Sequence, residues 1–278
     1  MAITDAEPVD LNVTPYRVAE GTYVVPQLME APPVGLFYLN SLVIQGREPV
    51  IVDTGTLINR ERWLEQVFAI VEPTDVRWVF LSHDDPDHTG NLMPVLEACP
   101  NAMLLTTWFG VGRMVDHYEI PMDRVRFVRD GDSFVAGDRS LTALRPPLFD
   151  NPTTRGLFDA TTGVYWASDA FAMPVPHPVE DLAALDAGYV EDALLLGARL
   201  ISPWHAWLDA AKWNAHVQRI RSLPIETIAS CHAPAIHGRD IERAFQTLSA
   251  APDLDPWHEF SQEDLDGWMA AAGIEEAQ

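Results

Sequence analysis

The chain has 278 residues, 47% of them hydrophobic, with two cysteines and a formal net charge of −23. That is enough apolar material for one large core, and the repulsion of so acidic a chain disfavours nucleic acid and anionic membranes as partners while drawing in cations or a basic protein, although solubility alone also accounts for it. Cys99 and Cys231 make no disulfide framework, no run reaches membrane-spanning length, and the Met1–Asp10 opening, with Asp5, Glu7 and Asp10, lacks the basic and apolar regions of a signal peptide, so a cytoplasmic protein is expected.

Residues 22–25, 37–44 and 50–53 read as successive strands joined by turns containing Pro and Gly. Asp53 closes the third, where a carboxylate can brace a metal-binding loop or serve as a turn or cap residue. Residues 60–71 are amphipathic, with Trp63, Leu64, Val67, Phe68 and Val71 on one core-facing side. Residues 76–81 are β-branched and aromatic enough for a buried strand, and Leu92, Val95 and Leu96 recur at helical spacing. Between them lies the loop Ser82-His83-Asp84-Asp85-Pro86-Asp87-His88-Thr89-Gly90. On an extended backbone His83, Asp85 and Asp87 point the same way, and a turn at Pro86 lets His88 join them. Imidazole and carboxylate suit zinc, iron or manganese, and so many donors seldom gather without a cation to neutralise them. The plainer alternative is a solvated acidic turn with Thr89 or Asp87 capping a helix.

Next come a strand at 102–105, a helix at 108–117 whose C-terminal end suits His117 electrostatically, and strands at 125–128 and 133–146 around Gly131 and Gly137. The second half then repeats the plan. Residues 156–159 and 164–167 form a hairpin that runs into Ser168-Asp169-Ala170-Phe171. A carboxylate at the end of a buried strand costs on the order of several kcal/mol unless a cation compensates it, which makes Asp169 the candidate bridging ligand. Pro174, Pro176 and Pro178 stiffen a loop around His177 that can roof a site, though surface exposure suits His177 better. Helices are expected at 189–200 and 209–222, and the aromatic stretch 202–207 between them either packs helix on helix or walls a pocket. The last expected strand, 226–229, delivers His232 just past its end, as Asp169 is delivered. A helix over 238–248 and a capping box at Ser261 and Asp264 follow. No linker or shift in composition divides the chain, so one domain over 1–278 is expected, with its core at about 22–248 and a helical extension at 249–278.

His83, Asp87 and His88 in the form His-x-x-x-Asp-His, a later strand-end Asp169 and a final strand-end His232 together resemble the metallo-β-lactamase fold over most of the chain. The resemblance implies an α/β protein, a four-layer α/β/β/α sandwich with a dinuclear site between two similar halves. Hydrolases of that superfamily usually carry a second His two residues after the first, and flavodiiron proteins carry Glu there; here it is Asp85. The loop, together with 168–171 and 232–234, is nearest to the flavodiiron form and to solitary oxygen-binding diiron proteins. Exchanging imidazole for carboxylate hardens the pair and favours iron or manganese over zinc. The family's middle His is matched in position by Asp150, a shorter donor that binds weakly or through water, or that simply starts a turn before Pro152.

The implied ligand set is His83, Asp85 and Asp150 on one metal and Asp87, His88 and His232 on the other, with Asp169 shared. The implied activity is that of a diiron oxidoreductase binding or reducing dioxygen or nitric oxide, with electrons from a separate flavoprotein or rubredoxin-like donor. Flavodiiron proteins continue into a flavodoxin-like domain binding flavin mononucleotide; none is expected in this chain, and therefore no flavin. The rival is a metal-dependent hydrolase of an ester, lactone or phosphoester in which Asp87 orients or takes the proton, so Asp87 and Asp169 are the expected catalytic residues. A third reading is a degenerate metal-binding sensor. A homodimer is compatible with all three.

Overall fold

A computed structural model describes residues 11–271; the Met1–Asp10 opening and residues 272–278 of the expected extension lie outside the described residues. The first half supplies β1 (Tyr16–Ala19), β2 (Thr22–Val25), β3 (Leu28–Ala31), β4 (Gly35–Tyr38), β5 (Ser41–Ile44), β6 (Val50–Val52), β7 (Trp78–Phe80), β8 (Met103–Thr106) and β9 (Val125–Phe127). The second half supplies β10 (Ser133–Ala136), β11 (Arg139–Leu144), β12 (Gly156–Asp159), β13 (Val164–Trp166), β14 (Thr227–Ser230) and β15 (Ala233–His237). One sheet runs β1-β2-β5-β6-β7-β8-β9 and a second runs β10-β11-β12-β13-β14-β15, while β3 and β4 pair separately as a hairpin.

Successive side chains of a strand point to opposite faces, and here both faces are apolar. Val24, Leu42, Ile44, Val50, Val52, Phe80 and Leu105 face the second sheet, meeting Leu157, Val164, Trp166 and Ala229. Their neighbours Val25, Val43, Ile51, Val79 and Leu104 face outward onto Trp63 and Val67 of α1 (Arg60–Ile70). The short α2 (Pro86–Thr89) starts the helical run in the loop, and α3 (Leu92–Ala98) and α4 (Trp108–Met114) complete that layer through Leu92, Val95, Leu96 and Met114. On the far side Phe158, Tyr165 and Ile228 meet α5 (Ala187–Ile201), α6 (Ala210–Arg221) and α7 (Arg239–Leu248). The layers are therefore α/β/β/α, as expected. The last helix, α8 (Gln262–Ala271), carries the anticipated capping box, with Ser261 and Asp264 exchanging hydrogen bonds. No helix among the described residues is long and apolar enough to cross a membrane.

Three expectations need correction. The run 37–44 is not one strand: it divides at Leu39 and Asn40, where the chain passes from the hairpin into the first sheet. An unbroken apolar run does not reveal such a crossing, but Asn40 does its work there, buried, with Nδ2 donating to the Ser230 and Ala233 carbonyls at 2.9 Å each. Strand β14 is not the last. β15 follows it as the edge of its sheet, where Pro234, lacking an N–H, is tolerated. The helix expected over 108–117 stops at Met114, so His117 lies in the turn beyond it.

Candidate metal centre

The centre is assembled where strands end. β6 leads into Asp53, β7 into the Ser82–His88 loop, β13 into Ser168 and Asp169, and β14 into Cys231 and His232. Asp53 and Ser168 both adopt left-handed backbone, at φ 58° and 53°, a region costly for residues other than glycine. What over-determines the first of these is hydrogen bonding. The Asp53 carboxylate accepts from Ser82 N and Ser82 Oγ at 2.7 Å each, from His88 Nδ1 at 2.9 Å and from Trp166 Nε1 at 3.0 Å. His232 Nδ1 donates to the Tyr38 carbonyl at 2.8 Å, and His83 Nδ1 is shared by the Ser82 and Ser168 hydroxyls at 3.2 Å. Each imidazole thus spends Nδ1 on the protein and turns Nε2 toward the others, the arrangement that fixes a ligating tautomer.

Three Nε2 atoms converge on Asp169. Its Oδ2 lies 3.3 Å from His83 Nε2, whereas its Oδ1 lies 3.1 Å from His88 Nε2 and 3.3 Å from His232 Nε2. On the Oδ2 side, His83 Nε2 also faces Asp85 Oδ2 at 3.6 Å and Asp150 Oδ2 at 3.4 Å. On the Oδ1 side, Asp87 Oδ2 stands 3.5 Å from His88 Nε2 and 3.4 Å from His232 Nε2. The loop is not extended throughout: the α2 turn carries Asp87 to the His88 side, away from Asp85. His83 Nε2, His88 Nε2 and Asp169 Oδ1 are buried without a hydrogen-bond partner, a condition native proteins avoid unless something else satisfies the atoms. The donor set fits two adjacent cations.

Charge gathers accordingly. Burial opposes ionisation of Asp169, but His83, His88 and His232 hold its carboxyl well below the usual range. Burial and the His88 cation oppose protonation of His83, yet the Asp169 and Asp150 carboxylates outweigh them and raise it to about 10. His88 and His232 are also raised, against burial, by Cys231 and the neighbouring carboxylates. Burial, with the Asp150 carboxyl beside it, pushes Asp85 up to about 6. Asp150 is held low by His83 despite its own burial.

All seven sequence-predicted ligand candidates, His83, Asp85, Asp87, His88, Asp150, Asp169 and His232, meet in this crevice. His177 lies exposed on its loop, and His117 lines a cavity with Arg113 and Tyr118 that reaches Asp85 at the outer side of the centre. The aromatic stretch 202–207 does more than pack helices: Ser202 Oγ and Trp204 Nε1 donate to the Phe149 carbonyl at 2.9 and 3.1 Å, steadying the turn that carries Asp150. Residues whose part the sequence does not show are Ser82 and Ser168, whose hydroxyls meet the imidazoles, Trp166, which donates to Asp53, and Cys231, whose only signal is its place beside His232. A cavity of about 330 Å³ opens beside Asp87 and His232 with Met29, Phe37, Leu39 and Ile201 in its walls.

Residues 38–233 match the family described as ODP family beta lactamase. The chain belongs to that family. Among relatives of this ODP-family chain, a "Putative diflavin flavoprotein A 1" of Nostoc sp. is 26% identical over 200 residues, 71% of this chain and 33% of that one. A "Nitric oxide reductase" of Moorella thermoacetica is 26% identical over 194 residues, 69% of this chain and 48% of that one. The chain therefore spans half or less of the length of these curated relatives. In three dimensions it resembles the flavodiiron protein of Giardia intestinalis, at a TM-score of 0.76 and 18% identity over 87% of this chain and 60% of that one. It also resembles a fragment of putative diflavin flavoprotein A 5 from Nostoc sp., at a TM-score of 0.68 and 18% identity over 87% of this chain and 97% of that one. The fold is that of the metallo-β-lactamase-like flavodiiron core.

Proposed function

We propose that this protein holds two iron ions between its sheets and binds or reduces dioxygen or nitric oxide with electrons from a separate flavoprotein or rubredoxin-like donor. His83, Asp85 and Asp150 would hold one ion, Asp87, His88 and His232 the other, and Asp169 both. The observation that carries this reading is the division of Asp169, one oxygen toward His83 and the other toward His88 and His232. Bound iron would supply the one-electron chemistry that the side chains lack. Four carboxylates against three imidazoles make a hard, anionic set that suits iron better than zinc. The apolar walls of the mouth suit a small uncharged diatomic, and nitric oxide reduction is what the Moorella relative is named for. The chain's own contribution is placement: Asp53 and the Tyr38 carbonyl keep His88 and His232 with Nε2 free, and Asp169 offsets the charge between the ions.

Protein purified with iron available should contain two irons per chain and show near-ultraviolet absorption that changes on exposure to oxygen. Zinc alone, with no response to oxygen or nitric oxide, would reject the reading. Turnover of ester or phosphoester substrates by that zinc form would favour a hydrolase instead.

A further inference from the structure

Both cysteines, Cys99 and Cys231, are buried in apolar cores, Cys231 in the one between the sheets, but only Cys231 lies beside the donors of the centre. Cys99 packs with Val95, Leu96 and Ala102 in the outer core of the first sheet, and burial raises its thiol to about 11. Cys231 stands between the end of β14 and His232, wholly buried, and its sulfur belongs to a group with the donor atoms of Asp87, His88 and His232 that all lie within 4.8 Å of one another. Donors to one first-row ion sit about 2.0–2.3 Å from it and hence at most roughly 4.6 Å apart. The group is close to that span. His88 points to a ligand independently: it is 0% exposed, its Nδ1 is committed to Asp53, and its Nε2 faces the crevice without a partner.

We propose that Cys231 is a sulfur donor to the ion held by Asp87, His88 and His232, so that the two metal positions differ in kind. The inference rests on the two-ion reading above and adds to it. One position offers a nitrogen and carboxylates; the other offers two nitrogens, a carboxylate and a thiolate. Ligation is a proton exchange with no electron transferred: the Sγ–H proton leaves to solvent as the metal–sulfur bond forms. Sulfur makes the His232 position the softer and tighter of the two for iron(II), and likewise for a cobalt(II) probe, and leaves the Asp150 position the harder. A chelator would then strip the Asp150 position first.

Cobalt(II) titration of the full chain tests this. A near-ultraviolet sulfur-to-cobalt charge-transfer band should appear in the unmodified protein and in Cys99→Ser, and vanish in Cys231→Ser while cobalt stays bound. Cys99→Ser keeps the test decisive even if Cys231→Ser does not fold, because Cys231 is then the sole thiol. Two cobalt ions bound with no sulfur band, in the unmodified protein or in Cys99→Ser, overturn the Cys231 assignment and leave the two-ion reading standing. One cobalt bound with the band supports Cys231 and overturns the second position. No cobalt bound overturns both.

Discussion

The two ends of the crevice are secured by different means. At the His88 end His88 and Asp53 are wholly buried, although Asp87 is 26% exposed, and Asp53 ties together residues from both sheets, accepting from Ser82 and His88 on one side and from Trp166, 113 residues away, on the other. At the Asp150 end the side chains of Asp85 and Asp150 are 35% and 22% exposed, and Asp150 is held by its own turn, its Oδ1 accepting from Asn151 N at 2.8 Å and Thr154 Oγ1 at 2.9 Å. A donor fixed by strands is preorganised at the cost of any adjustment. Asp150, on its turn, comes within 3.4 Å of His83 Nε2 although Asp is shorter than the His that the resemblance expects there.

The most damaging test removes what the two ends share. Asp169→Ala should abolish binding at both positions, lowering metal affinity by at least about 100-fold in metal analysis and chelator competition; loss at one position alone would mean that Asp169 does not bridge. Asp53→Asn should weaken the His88 position by about 10–100-fold while largely sparing the other. It should also destabilise the metal-free fold by about 3 kcal/mol in chemical denaturation, since a buried charge pair loses a partner. Equal loss at both positions would erase the contrast between the ends.

Acidity bears on both ends, since His88 and His232 are raised as well as His83. In the metal-free protein His83 is raised to about 10 and Asp85 to about 6, so ions entering the Asp150 end must displace protons. Apparent affinity there should climb roughly tenfold per pH unit between about 6 and 10 for the His83 proton, and more steeply below 6, where Asp85 holds a second. Calorimetry in buffers of different ionisation enthalpy would count the protons released. The stability sign follows: a raised pKa contributes below its unfolded value and is lost as pH rises through the folded one. The metal-free protein should therefore weaken between about 6.5 and 10 as His83 deprotonates, and bound metal should remove that loss. The smallest effect is expected from Thr154→Val, which deletes one hydrogen bond to Asp150 and should cost about 1 kcal/mol, a few-fold in affinity at that end only.

Much of the centre is readable because its parts are local. His83, Asp85, Asp87 and His88 are near neighbours in the chain, and Asp169 and His232 each follow an apolar run that can only be a buried strand. Asp150 is harder: the family resemblance places it, by its interval before the hairpin, and in the structure its Oδ2 approaches His83 Nε2 at 3.4 Å while its Oδ1 serves the turn. Cys231 beside His88, the Trp166 bond to Asp53 and the crossing at Asn40 have no local signature, since each joins residues from different strands. The amino-acid pattern alone determined buried strands with candidate donors at their ends, because apolar runs must be covered and a strand-end carboxylate or imidazole needs a partner, while the four layers came from the family resemblance those residues carry. Which oxygen of Asp169 faces which imidazole, and which thiol stands among the donors, was decided only by the packing of one sheet on the other. Distances of 3 to 4 Å between residues far apart in sequence follow from that packing and from nothing shorter in range.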